Sequence, residues 1–85
     1  MNDYIISKYI NNITLNNIND FAKKEGILLK NDELNTINFY IKNHWKTFYY
    51  GNPENLFKEL KEKLEEKTYN KVIELYNEYK KRLNN

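Results

Sequence analysis

Cysteine is absent from this 85-residue chain, and proline, histidine, tryptophan and serine each occur once. Each scarcity closes a route. Without cysteine there is no disulfide framework and no zinc-finger spacing, which suits a reducing cytosol. The two glycines, Gly26 and Gly51, stand far apart and form no glycine-rich phosphate loop. Ser7 lacks the glycine elbow of a hydrolase nucleophile, and of the four threonines two are better explained as helix caps. His44 has no second histidine to join it and no Asp or Glu three or four residues away. A catalytic metal wants about three protein ligands, so His44 reads as an imidazole at the edge of a core, beside Trp45. No catalytic, metal-binding or cofactor-binding residue is assigned, and no cofactor is expected. No stretch approaches the roughly 18 apolar residues of a membrane span. The N-terminal segment has neither the basic start nor the apolar run of a signal peptide.

Charge excludes little. The net charge is +2, and each half of the chain carries one excess positive charge, so no strongly basic face announces nucleic acid. Clustered Glu62, Glu65 and Glu66 alternate with Lys61, Lys63 and Lys67, the pattern of a solvated helix face. Sixteen asparagines, with many Lys, Ile and Tyr, match the codon drift of an AT-rich genome and need no chemical explanation. Eighty-five residues make one expected domain, 1–85, of a size that buries roughly 60–65% of its unfolded surface.

What the chain does have is aromatic side chains and helical periodicity. The densest stretch is residues 39–50, with the only Trp, the only His, two Phe and three Tyr. At about 100° per residue, Leu34, Ile37, Tyr40, Ile41, His44, Trp45 and Phe48 form one stripe, and Phe39 falls opposite. Apolar groups on two sides mark a central helix, expected over 31–47 with Asn31 or Asp32 as N-cap. Before it, a helix over about 4–12 carries Ile5, Ile6, Tyr9, Ile10 and Ile13 on one side. Thr14 is the N-cap of a second helix, which Gly26 ends, with Ile27 and Leu28 folding back. Beyond the central helix, Gly51, Asn52 and Pro53 form a turn, an N-cap and a first helical position. A fourth helix carries Leu56, Phe57, Leu60 and Leu64, and a fifth carries Tyr69, Val72, Leu75, Tyr76, Tyr79 and Leu83. On one straight helix these last two stripes would diverge by roughly 125°, so a break is expected near Lys67, with Thr68 as the new cap. The fold class is all-α, a compact bundle of four or five short helices around the central helix 31–47. Leu34, Ile37, Ile41, Trp45, Leu60, Tyr76 and Tyr79 are expected to be largely buried.

Two functional readings follow. Tyr and Trp dominate interface hot spots, so Phe39, Trp45, Tyr49 and Tyr50 are candidates for a protein-binding patch. The protein would then be a non-enzymatic interaction module: an adaptor, a subunit, an inhibitor or an immunity-type protein. The alternative is a weak DNA- or RNA-binding helix-turn-helix-like domain over residues 15–45. Ala22 and Gly26 have the right spacing for one, and Asn35, Asn38, Lys42 and Lys46 would meet the nucleic acid. Against it, the turn is longer than the usual three to four residues, and Asp32 and Glu33 open the second helix, where phosphates would be repelled.

The segments Ile10-Asn-Asn-Ile-Thr14 and Phe21-Ala-Lys-Lys-Glu-Gly-Ile27, the Asn52-Pro-Glu start and the closing Leu75-Tyr-Asn-Glu-Tyr79 carry a further indication. In their order the chain resembles an uncharacterised family of small helical proteins, a domain of unknown function, from bacilli and related low-GC bacteria. The resemblance implies a cytoplasmic, bacterial, helical domain and transfers no functional residues.

Overall fold

Helical spacing of the apolar residues, with few breakers between them, yields an all-α chain. The structure, a computed structural model, describes residues 3–83. These form α1 (Asp3–Asn11), α2 (Leu15–Lys24), α3 (Asn31–Tyr50), α4 (Glu54–Lys63) and α5 (Glu66–Leu83), with no strand among the described residues. The helices group into two compact units, Met1–Pro53 and Glu54–Asn85.

In the first unit α1 and α2 both pack on α3. Each end of α2 is fixed by its own neighbours. The Thr14 hydroxyl accepts from the Asn17 amide at 3.1 Å, and the Asn17 side chain accepts from the Thr14 amide at 2.9 Å. That is a capping box with Asn in the place usually held by Glu or Gln. At the other end Gly26 takes the left-handed conformation (φ 84°), the Gly26 amide donates to the Lys23 carbonyl, and the Ile27 amide donates to the Ala22 carbonyl at 2.9 Å. This pair of bonds is the Schellman stop, which normally brings an apolar residue back onto the helix. Ile27 does return and is buried, but Leu28 is exposed, so only one of the two expected residues folds back.

The central helix α3 is longer than its sequence suggests. Its N-cap is Lys30 rather than Asn31 or Asp32. The cap backbone is served from inside the helix, where Glu33 Oε1 accepts from the Lys30 amide at 3.3 Å. Asp32 Oδ1 accepts from the Glu33 amide at 3.0 Å. These two carboxylates lie at the positive end of the helix dipole. α3 continues to Tyr50 instead of ending at Thr47, because nothing before Gly51 interrupts the backbone ladder. Gly51 itself is extended (φ −108°), and its amide bonds the Thr47 carbonyl at 2.9 Å. A Cβ there would lie 3.3 Å from that carbonyl oxygen, so close approach, not a left-handed turn, favours glycine. Tyr40 is buried on α3, while Leu34, Ile37, Ile41 and Trp45 are half-buried.

In the second unit the break falls at Leu64 and Glu65, before the expected Lys67. The Leu64 amide still bonds the Leu60 carbonyl, and the Tyr69 amide already bonds the Glu65 carbonyl, both at 2.9 Å. Leu56, Leu60 and Leu64 are buried on one side, and Phe57 packs edge-on against Tyr76 with centroids 5.0 Å apart. Tyr79, expected inside, is 51% exposed. With ten residues in α4 and eighteen in α5, α5 is roughly 12 Å longer at 1.5 Å per residue. α4 therefore cannot cover the whole of α5, and Tyr79 lies near the far end of α5. Leu83 ends the described residues, and its side chain lies outside them.

Thr68 does not cap α5. It sits in the first turn, 2% exposed, and its hydroxyl has no hydrogen-bond partner. A buried hydroxyl without a partner costs stability that an isosteric methyl would not. Thr68→Val is therefore expected to leave the unfolding free energy unchanged or raise it by about 1 kcal/mol, measured by urea titration. A clear loss of stability would contradict this.

Candidate functional site

The chemistry of the first unit concentrates where α1 lies on α3. α1 ends without a glycine, and no residue other than glycine has positive φ among the described residues. Its last carbonyls therefore need donors from elsewhere. The Asn12 amide serves Lys8 and Tyr9, and the Ile13 amide serves Ile10. The remainder falls to one distant side chain. Lys42 Nζ donates to the carbonyls of Ile10 at 2.8 Å, Asn11 at 2.9 Å and Ile13 at 2.6 Å. An ammonium has three donors, and all three are engaged. The positive charge also lies at the negative end of the α1 dipole.

The opposite end of α1 meets the same stripe of α3. The Tyr50 hydroxyl donates to Asp3 Oδ1 at 2.6 Å, and Lys46 Nζ lies 3.9 Å from Asp3 Oδ2. Lys42, Lys46 and Tyr50 are four residues apart, the spacing of one helix face. That row fixes α1 antiparallel to the second half of α3. The Lys46–Asp3 pair is exposed and adds little, about 0–1 kcal/mol.

This placement separates the residues singled out from the sequence. Among the candidate nucleic-acid contacts, Lys42 is engaged with α1 carbonyls, Lys46 lies beside a carboxylate and 5.8 Å over the Trp45 ring, and Asn35 is exposed. The Asn38 side-chain oxygen is buried with no partner. The candidate partner-binding aromatics divide into two clusters. Phe39 packs edge-on against Tyr40 (5.7 Å) and His44 (6.1 Å). Trp45 contacts Tyr49 (6.5 Å) and Tyr50 (6.4 Å), whose own centroids are 4.7 Å apart. Tyr49 and Tyr50 are in helix, not in the loop expected for them. His44 is half-buried between Phe39 and Tyr40, and among the described residues no three His, Asp or Glu groups could share a metal ion.

The α1 side chains depart most from expectation. Ile5, Ile6, Tyr9, Ile10 and Ile13 span about 140° of helix at about 100° per residue. Resting on α3, α1 turns inward only part of that arc. Ile6, Ile10 and Ile13 are half-buried, while Ile5 and Tyr9 face outward with Tyr4. The missing glycine at the end of α1 was the one sequence signal that a remote donor was needed.

The Asp3 carboxylate also acts on Tyr50. Its hydrogen bond to the phenol, helped by partial desolvation and by its negative charge, pushes the Tyr50 pKa up from 10.0 to about 12. The folded value lies above the unfolded one, so this contact contributes fully below pH 10 and is lost as pH rises through about 12. Subtracting the phenolate absorbance titration of Tyr50→Phe from that of the parent should isolate one tyrosine ionising near pH 12. Asp3→Asn should bring it back toward 10. A difference curve already centred at 10 in the parent would contradict the Asp3–Tyr50 contact.

Comparison of the chain with protein-family models, with curated proteins and with solved structures found no match.

Proposed function

We propose that this chain is a small non-enzymatic protein-interaction module of the adaptor, subunit, inhibitor or immunity type. One observation carries the reading: large apolar side chains stand open on the first unit. Tyr4 (70% exposed), Ile5 and Tyr9 (71%) form the outer face of α1, and Phe39 (54%) and Tyr50 (55%) stand open on α3. At about 100° per residue Ile5 and Tyr9 lie close together and Tyr4 about 100° from Ile5, so the trio spans about 140° of the outer surface of α1. Such a face suits an apolar groove on a partner protein, and tyrosine brings large contact area at modest entropic cost. Trp45 and Tyr49 lie half-buried behind Tyr50 and back this surface rather than form it.

The nucleic-acid reading has less behind it. Its two lysines already have partners on α1, and Asp32 and Glu33 open the helix that would enter a groove. Among the described residues no helix is long and apolar enough to cross a membrane. A cytoplasmic bacterial setting and kinship with the small helical family named above belong to the same proposal; the absence of cysteine supports the first.

The test is affinity capture from source-cell lysate with the tagged full chain, with and without nuclease, beside Tyr4→Ala/Tyr9→Ala and Phe39→Ala variants. The proposal expects one protein recovered equally from both halves, and its recovery lowered about tenfold by the α1 double variant, a loss of about 1.4 kcal/mol. Recovery that vanishes with nuclease would overturn the proposal in favour of nucleic-acid binding. Recovery indifferent to all three substitutions would remove the assigned surface.

A further inference from the structure

The open residues on α1 and the polar contacts beneath it raise the question of how firmly α1 is held. We infer that α1 is a releasable strap, latched to α3 by Lys42, Lys46 and Tyr50, which opens as a unit while α2 and α3 stay folded.

Four observations carry the inference. First, α1 has only nine residues, none of them buried. An isolated helix this short is marginal in water, so its helicity depends on being docked. Second, beside the half-buried Ile6 and Ile10, the fastenings are polar and gathered at two points, Lys42 at one end and Asp3 at the other. Asp3, Lys46 and Tyr50 are exposed and Lys42 is half-buried, so water can replace each contact without stranding a charge in a dry interior. Third, the hinge is short and is tied to α3 by the same latch, through the Lys42 bond to the Ile13 carbonyl at 2.6 Å. Residues 12–14 lead straight into α2, whose start is capped by its own Thr14 and Asn17. Undocking α1 removes no bond from that cap. Fourth, α2 and α3 carry their own terminal devices at Gly26, Glu33 and Gly51, so they do not need α1 to end properly.

Release would bare Lys42, the half-buried member of the row, free Lys46 and Tyr50 from Asp3, and detach the outer face of α1 from its support. The strap thus regulates the surface proposed above, and to that extent it rests on that reading. Its test needs no partner, so the two ideas fail separately.

Amide hydrogen exchange of the full-length chain resolves the point, because local opening and global unfolding give different rates in different helices. In the parent, α1 amides should exchange about tenfold or more faster than the slowest amides of α2 and α3. Lys42→Met removes three charge-assisted bonds and should speed α1 exchange by about a further tenfold or more, with less than about twofold change in the slowest α2 and α3 amides. Equal protection of all three helices in the parent, or a uniform acceleration in the variant, would overturn the inference. If Lys42→Met does not fold, Tyr50→Phe supplies the same comparison by loosening only the Asp3 end. Acceleration confined to α1 would support the strap, and acceleration shared by all three helices, or none in α1, would count against it.

Discussion

One ammonium group meeting three backbone carbonyls is the contact on which the placement of α1 on α3 depends. A helix that ends in water or in a glycine turn needs nothing from the rest of the chain. α1 has no glycine, and its terminal carbonyls are completed by Lys42, some thirty residues further along. Hydrogen bonds to a charged group are worth about 1.5–3 kcal/mol net, against about 1 for a neutral pair. On a helix with no buried residue, such a term is a large share of what keeps it in place. The same side chain thereby sets the direction of α1, and Asp3 at its other end comes to rest on Tyr50 and Lys46.

α2 shows the opposite strategy. Thr14 with Asn17 and Gly26 with Ala22, Lys23 and Ile27 close both ends within a few residues. Those devices are legible in sequence because they are local: a cap residue, a spacing of three and a glycine suffice. The existence of five helices and of a break between α4 and α5 was legible for the same reason, through periodicity and the angle between two stripes. What escaped depended on distance or on relative length. The part Lys42 plays in holding α1 was not legible, because its carbonyl partners lie on another helix; the sequence offered it only as a candidate nucleic-acid contact in the alternative reading. Tyr79 looked like core because periodicity does not register that α4 is shorter than α5. Ile5 and Tyr9 matched the α1 stripe, yet docking on α3 leaves them outside. Tyr49 and Tyr50 looked like loop because a following glycine suggested an earlier end.

The aromatic richness of α3 therefore serves two purposes. Phe39, Tyr40 and His44 make one ring cluster, and Trp45, Tyr49 and Tyr50 make another at the end of the helix. In the second cluster the open member, Tyr50, also anchors α1 through its hydroxyl. A residue that both fastens a helix and faces solvent couples internal packing to the outer surface. That is the physical link between the strap and the interaction surface proposed here.

The most direct test of this account is the state of the Lys42 side chain itself. NMR on isotopically labelled protein can detect the Lys42 ammonium in cooled solution and its ε-methylene contacts to Ile10 and Ile13. The account predicts a protected ammonium resonance and cross-peaks to both residues. A Lys42 with averaged methylene shifts, rapid ammonium exchange and no contact to residues 10–13 would contradict it, because the C-terminal end of α1 would then lack its polar anchor on α3.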